Sequence, residues 1–448
     1  MSTRSAEPRQ PEWRPTIAHV RATASGLFIA LLSVLLRRPD LLVLSVPLLA
    51  IAGWSAWTRP RHAPVVHERL DHATLREGEA TSWRIDVRAA IDANGNAPEL
   101  RGVEDVTAVL AAPPFVELEP ASGAVSAPLV DGVADFAIPL RSTRWGRRSM
   151  GPATVVATSS WGAFRWQSGG RTPRRLTSLP LPAMFDAAAP LAHPVGLVGM
   201  HRSARPGEGS EFASVRPFQI GDRLRRIHWP RSLRTGELHV TSTWSEQDSH
   251  VVLVIDALND LGKSDGIDGA ASSLDTAVRA AGAIAEHYLR HGDRVSMHVM
   301  GARGLVRVPP ASGTSHLRRL LDTLATIEAG TDHRSDGRLQ FGFAGAGALV
   351  VMLSPLVAPA NLQRAISLSR RGFTVVVIDT LPAGVTDEDP EDPFRALAWR
   401  IRLLERASEI RRVRQAGVPV VSWRGPGSLD QVLRDLHRRA GAPRVTRR

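Results

Sequence analysis

Two uncharged apolar runs near the N-terminus, residues 22–36 and 41–57, constrain this chain more than any other feature of it. A helix that crosses a bilayer needs about 17–25 residues. The second run meets that length, and the first meets it if Arg21 and His19 snorkel to the interface. Trp54 and Trp57 close the second run where an interfacial aromatic belt would lie. Between the runs, Arg37-Arg38-Pro39-Asp40 is a polar turn, because proline cannot continue a helix. A signal peptide is a poor fit, since the first run ends in an arginine pair with no small-residue cleavage site. A buried hairpin of a soluble domain is the remaining alternative to a transmembrane hairpin at 22–58. Arg4, Arg9, Arg14 and Arg21 precede the hairpin, Arg59 and Arg61 follow it, and only Arg37 and Arg38 lie in its turn. The positive-inside bias therefore expects both ends, and all that follows, in the cytoplasm at the cell membrane.

The 448 residues suffice for two or three folded units. Cysteine is absent, which excludes disulfides, iron–sulfur clusters, Cys-ligated zinc and a Cys nucleophile. The formal charge is +12, and Lys263 is the only lysine. So complete a preference for arginine reads as compositional, and basicity alone is no argument for nucleic acid. The excess sits at the ends: eight arginines against three acids over residues 1–64, and thirteen against four over residues 398–448.

Beyond the basic tail (1–21) and the hairpin, residues 65–181 read as a small β-sandwich. Trp83-Arg84-Ile85-Asp86-Val87-Arg88 alternates with period two, and further strands are expected at 115–118, 133–138 and 153–156. Residues 182–245 open as a Pro-rich linker. From residue 246 to 448 the texture becomes α/β. Continuous apolar runs at 250–256, 293–300, 348–353, 373–379 and 418–421 alternate with helical patterns at 274–290, 316–327, 360–371, 394–416 and 429–439. That alternation predicts a doubly wound parallel sheet.

Residues 209–238 join these halves. Gly221-Asp222 is a turn, and Asp222 is placed to accept from Arg225 or Arg226. Ile227 and Trp229 offer alternate apolar anchors. Read physically, the stretch is an arginine-laced clamp between domains or a recognition surface. Its pattern of Arg216, Phe218, Gly221, Asp222, Arg225 or Arg226, Ile227, Trp229, Arg234 and Leu238 resembles the signature of the bacterial domain of unknown function 58 family. Pro217, Phe218 and Leu233 depart from it, where an acid, a tyrosine and a small residue are usual. The resemblance extends along the chain: a membrane hairpin, a β-rich domain, the signature, then an α/β domain similar to von Willebrand factor type A. It implies no catalysis. It implies interaction, often with a MoxR-type AAA+ ATPase.

Type A domains that hold a metal end their first strand in Asp-X-Ser-X-Ser, but here the strand ends Asp256-Ala257-Leu258-Asn259-Asp260. A later strand ends Leu353-Ser354-Pro355, without the usual acid. The expectation is a degenerate site, with the repulsion between Asp256 and Asp260 relieved by an arginine of the signature such as Arg225 or Arg234. A weakly held divalent ion, helped by Thr314 or Ser315, is the alternative. His287 and His291 share a helix face without a third ligand, and read as helix-end histidines favoured by the dipole. No phosphate-binding loop or nucleophile elbow occurs. The sequence thus points to a membrane-anchored, non-enzymatic interaction module without a cofactor. The alternative is nucleic-acid or anionic-lipid binding through Arg400, Arg402, Arg406, Arg411, Arg412 and Arg414. Glu405 and Glu409 among them, and the lack of stacking aromatics, make nucleic acid the weaker reading.

Overall fold

The computed structural model describes residues 12–89, 102–130, 132–169, 172–181, 206–219, 222, 224–244, 250–301, 306–330, 348–386 and 393–423. The helix expected at 429–439 and Gly221 lie outside these. The chain divides into two units, Met1–Ser178 and Leu179–Arg448.

In the first unit a short strand, β1 (Arg14–Pro15), leads into α1 (Ile17–Leu35), a turn, and α2 (Leu42–Trp57). α1, and α2 together with the turn from Pro39 that leads into it, are each long and apolar enough to cross a membrane. Their packing is the reverse of a water-soluble pair. The buried residues are small, Gly26 and Ser33 on α1 against Ser45, Ala52 and Ser55 on α2. The large ones, Leu27, Phe28, Leu31, Val43, Val46 and Trp57 among them, face outward. Lipid tails offer no hydrophobic drive between helices, so small residues that permit close approach mark the contact. This pattern distinguishes a membrane-associated pair from the core helices of a soluble domain. α1 begins five residues before the expected start, at Ile17, where Thr16 caps it by accepting from the His19 amide.

Eleven strands follow: β2 (Val65–Leu70), β3 (Thr74–Arg76), β4 (Ala80–Arg88), β5 (Val103–Val109), β6 (Val116–Leu118), β7 (Ala124–Pro128), β8 (Val133–Ser142), β9 (Gly146–Met150), β10 (Thr154–Ser159), β11 (Phe164–Gln167) and β12 (Arg174–Leu179). One sheet has the order β1-β11-β10-β5-β7 and another β2-β4-β8-β6, with β3-β12-β9 as a third, smaller sheet. Strict alternation on β4 and β8 sends Trp83, Ile85 and Val87 and their partners Ile138, Phe136 and Ala134 into one core, with Val106, Ala108, Val155 and Trp166 of the facing sheet. Gly151, at φ 67°, lies so close beneath Trp83 that a Cβ would stand 2.8 Å from its ring. From residue 12 the basic N-terminal segment belongs to the folded unit. Trp13 is buried in this core and donates to the His62 carbonyl at 3.0 Å, while β1 pairs with β11. The sandwich therefore extends back to residue 13.

The second unit opens with β13 (Pro206–Pro217) paired antiparallel to β14 (His239–Trp244), so part of the expected linker is folded. The signature and a short helix, α3 (Trp229–Thr235), lie between them. The α/β part follows: β15 (His250–Asp256), α4 (Ser273–Arg290), β16 (Arg294–Met300), β17 (Val306–Ala311), α5 (Thr314–Leu324), β18 (Leu349–Ser354), α6 (Pro359–Arg370), β19 (Thr374–Asp379), α7 (Pro393–Gln415) and β20 (Val420–Ser422). The sheet order is β17-β16-β15-β18-β19-β20, parallel except for the antiparallel edge strand β17. Val252, Val254, Val350 and Met352 pack with Leu362, Ala365, Ile410 and Val413 of α6 and α7. The alternate residues of the central strands are as deeply buried on the other face, where α4 lies. This is the doubly wound arrangement, and its strand order reverses between β15 and β18.

Candidate functional site

The polar end of β15 sits at that reversal. Asp256 is buried, and every described bond to its carboxylate comes from the protein. Oδ2 accepts from Ser354 Oγ and from Asn361 Nδ2, both at 2.6 Å, and Oδ1 accepts from the Leu258 amide at 3.1 Å. Asn361 is in turn oriented by Arg364, whose Nη1 donates to Asn361 Oδ1 at 2.9 Å. Burial pushes the Asp256 carboxyl above its ordinary range, while the three donors and the Arg364 charge pull the other way. Asp260 turns aside, accepting from the Leu274 amide in the first turn of α4 at 3.1 Å. The expected relief by Arg225 or Arg234 is therefore corrected: the cation nearest this carboxylate in effect is Arg364 on α6, acting through Asn361. Among the described residues no three His, Asp or Glu side chains converge in a metal-binding group. Ser354, placed where an acid is usual, serves as a donor that closes the sheet edge.

The next strand ends the same way. Asp379 Oδ1 accepts from the Leu381 amide at 3.1 Å and pairs with Arg406 of α7. Arg406 also donates to Pro355 O at 2.9 Å, and Arg402 donates to Val357 O at 2.8 Å and pairs with Glu409 at 2.9 Å. Two of the α7 arginines are thus spent inside the fold, and Arg414 donates to Val420 O at 3.0 Å. Arg400, Arg411 and Arg412 remain exposed.

His287 is buried and stacks obliquely on His291, with ring centroids 4.7 Å apart. Burial and the neighbouring ring push His287 down to about 4, so it is neutral and gains nothing as a cation at the helix end.

The signature segment is organised differently from its reading in sequence. Asp222 pairs neither Arg225 nor Arg226 through a hydrogen bond. Instead Arg216 of β13 grips it with both terminal nitrogens, at 2.7 and 2.6 Å, and the Gln219 amide donates to it at 2.9 Å. Those bonds hold the Asp222 carboxyl below its usual range. This fork closes the loop between β13 and α3. Ile227 bridges to Val240, and the His228 amide donates to His239 O at 2.8 Å. His228 caps α3 through Nδ1, and Ser232 is buried against His239. Gly236, at φ 78°, ends the helix in the left-handed cap that glycine favours.

The outward side of this frame is apolar. Trp229 is 58% exposed, Leu233 82%, Leu224 69% and Leu238 46%. Trp229 is therefore no internal anchor. Arg225, Arg231 and Arg234 are exposed beside these residues in sequence. Leu233, which departs from the signature, is the most exposed of the four.

Residues 214–421 match the family model described as "Protein of unknown function DUF58". Uncharacterized proteins of Mycobacterium bovis and Mycobacterium tuberculosis are 28% identical to the chain over 252 residues, 51% of this chain and 78% of theirs. Among solved structures, an aerotolerance-related membrane protein from Bacteroides fragilis aligns with 43% of this chain and 99% of its own, at 15% identity and a TM-score of 0.27. A von Willebrand factor type A protein from Catenulispora acidiphila aligns over 45% of this chain and 44% of its own, at 17% identity and a TM-score of 0.23. The family match begins within β13 and ends in β20, and so takes in the Arg216–Asp222 fork, α3 and the sheet edge at Asp256 together.

Proposed function

We propose that this chain is a membrane-anchored, non-enzymatic interaction module that docks a protein partner on the exposed face of α3 and its flanks. The observation that carries this reading is the set of Leu224, Trp229, Leu233 and Leu238, outward-facing on a frame fixed by the Arg216–Asp222 fork. Apolar groups of this size on a rigid support, with arginines alongside, have the composition of an interface core with a basic rim. The partner should present an apolar recess edged with acidic residues. The resemblance of the signature makes a MoxR-type AAA+ ATPase the partner to test. This reading requires the soluble part to lie in the cytoplasm, where such an ATPase works. The nucleic-acid reading loses ground because Arg402, Arg406 and Arg414 bond within the fold.

The test is co-purification of full-length chain from detergent-solubilised membranes with a MoxR-type ATPase of the same cell, then binding with both purified. Trp229→Ala and Leu233→Glu should each weaken binding at least tenfold, as truncation of an interface anchor does. Arg364→Gln, away from this face, should leave it within about twofold, the expectation for an energetically near-neutral position. Unchanged binding by the double variant Trp229→Ala/Leu233→Glu would overturn the docking face. Absence of any ATPase binding would overturn the partner.

A further inference from the structure

At the root of the membrane hairpin the first unit holds a cavity of about 510 Å³, a size typical of small-ligand sites. Its walls include Glu12, Arg14, Thr16, Ile17, Arg165 and Gln167. Arg14 on β1 stands directly opposite Arg165 on β11 in antiparallel register. Residues so paired share one face of the sheet, and like charges there repel. Neither guanidinium has a hydrogen-bond or ion-pair partner among the described residues, and neither does Glu12, although it lines the same cavity. Two cations and one carboxylate thus line one hollow, with no hydrogen bond or ion pair to any of the three among the described residues.

The position of the hollow identifies what would fill it. Ile17 is both a wall of the cavity and the first residue of α1, the apolar helix. Thr16 links that helix to the sandwich, donating from its hydroxyl to Gly162 O at 2.8 Å. Beside Gly162, Trp161 is 69% exposed and held at φ 60°, a conformation unfavourable for an aromatic residue. Strain of this kind persists where the surroundings impose it and clusters at functional positions. Trp54 and Trp57 are exposed at the end of α2. The short turn at Ser160–Gly162 packs near that helix, so the three tryptophans mark one level, that of the membrane interface. The cavity opens where phospholipid headgroups lie.

We propose that this cavity binds a phospholipid headgroup, its phosphate bridging Arg14 and Arg165 and a headgroup ammonium facing Glu12. Arginine suits the first role, because its fork meets phosphate oxygens two at a time. A primary ammonium suits the second, since it donates hydrogen bonds that a choline nitrogen cannot. Phosphatidylethanolamine therefore offers one anion for the arginine pair to share and one cation for the carboxylate. The inference rests on the hairpin lying in a membrane, which carbonate extraction of membranes tests separately.

The experiment is lipid titration of the full-length chain in detergent, read by native mass spectrometry, with phosphatidylethanolamine, phosphatidylcholine and inorganic phosphate as probes. Phosphatidylethanolamine should be retained most strongly, and Arg14→Gln or Arg165→Gln should each weaken it about tenfold, the scale of a lost charge-assisted bond. Glu12→Gln should remove the preference over phosphatidylcholine. Both arginines are exposed, so the variants should melt with the parent chain, and Arg165→Lys should recover part of the binding. Inorganic phosphate bound as tightly as the lipid would show a free-anion site and overturn the headgroup. Retention unchanged in Arg14→Gln/Arg165→Gln would overturn the site.

Discussion

Asp256 concentrates the chemistry of a single residue. A carboxylate in this position elsewhere can hold a cation, but here three donors already occupy the lone pairs that would face one. Asp256→Ala would leave the Ser354 hydroxyl, the Asn361 amide and the Leu258 amide without their acceptor. Each buried polar group so orphaned costs roughly 1–3 kcal/mol, and relaxation makes the sum about 2–4 kcal/mol. Thermal melting of the full chain should show that loss, and millimolar Mg²⁺ or Mn²⁺ should not raise the parent's melting temperature. A metal-dependent rise that disappears in Asp256→Ala would refute this account. The pH dependence has a definite sign. The folded carboxyl titrates above its unfolded value. The stability tied to its protonation is therefore fully present below the unfolded pKa, about 3.9, and is lost as pH rises through the folded pKa. The parent should thus gain stability relative to Asp256→Asn as pH falls from neutrality toward 4. Asp222 has the opposite sign, and its fork should loosen as pH falls through its lowered folded pKa.

Among the elements, the hairpin depends on close approach at its small residues. A Cβ on Gly26 would stand 2.9 Å from Leu49 Cδ2 and 3.2 Å from Leu48 Cβ. Gly26→Leu should therefore separate α1 from α2, while Leu31→Ala, on the outward face, should not. Disulfide trapping between cysteines introduced at Ser33 and Ser45 would report the difference, against a chain that has none of its own. The elements also show what a sequence makes legible. β15, β18 and β19 read as continuous apolar runs because a parallel sheet is covered on both faces. β17 did not, because Pro309 and Pro310 break the pattern; it is an edge strand, where proline is tolerated. β1 is two residues long and owes its place to Trp13 in a core built from residues far along the chain. The Arg216–Asp222 fork was hidden for a related reason. Sequence spacing favours partners three or four residues on, whereas the turn after β13 returns Asp222 to an arginine six residues back.

For the whole molecule, the path of the chain around the hairpin constrains its topology. Trp13, just before α1, donates to His62, just after α2, and Arg59 donates to Trp13 O at 3.1 Å. The chain enters and leaves the hairpin at one place, an arrangement that in a membrane favours two crossings over one. The expected orientation follows from the arginine count. Arg14, Arg21, Arg59 and Arg61 lie at the root, whereas the turn holds Arg37 and Arg38, and Asp40 offsets Arg38 at 3.4 Å. By the positive-inside bias, positive charge held at the root favours a cytoplasmic sandwich, the orientation that the proposed function requires. The proposed function places the unit that matches the DUF58 model in the same compartment as the sandwich. Single cysteines test this directly. In intact cells a membrane-impermeant maleimide should label Asp40→Cys in the turn and spare Ala111→Cys in the sandwich, which becomes reactive once the membrane is opened. The reverse pattern would place the α3 face outside the cell. It would remove a cytoplasmic ATPase as partner, while leaving the headgroup cavity at the root of the hairpin in the opposite leaflet.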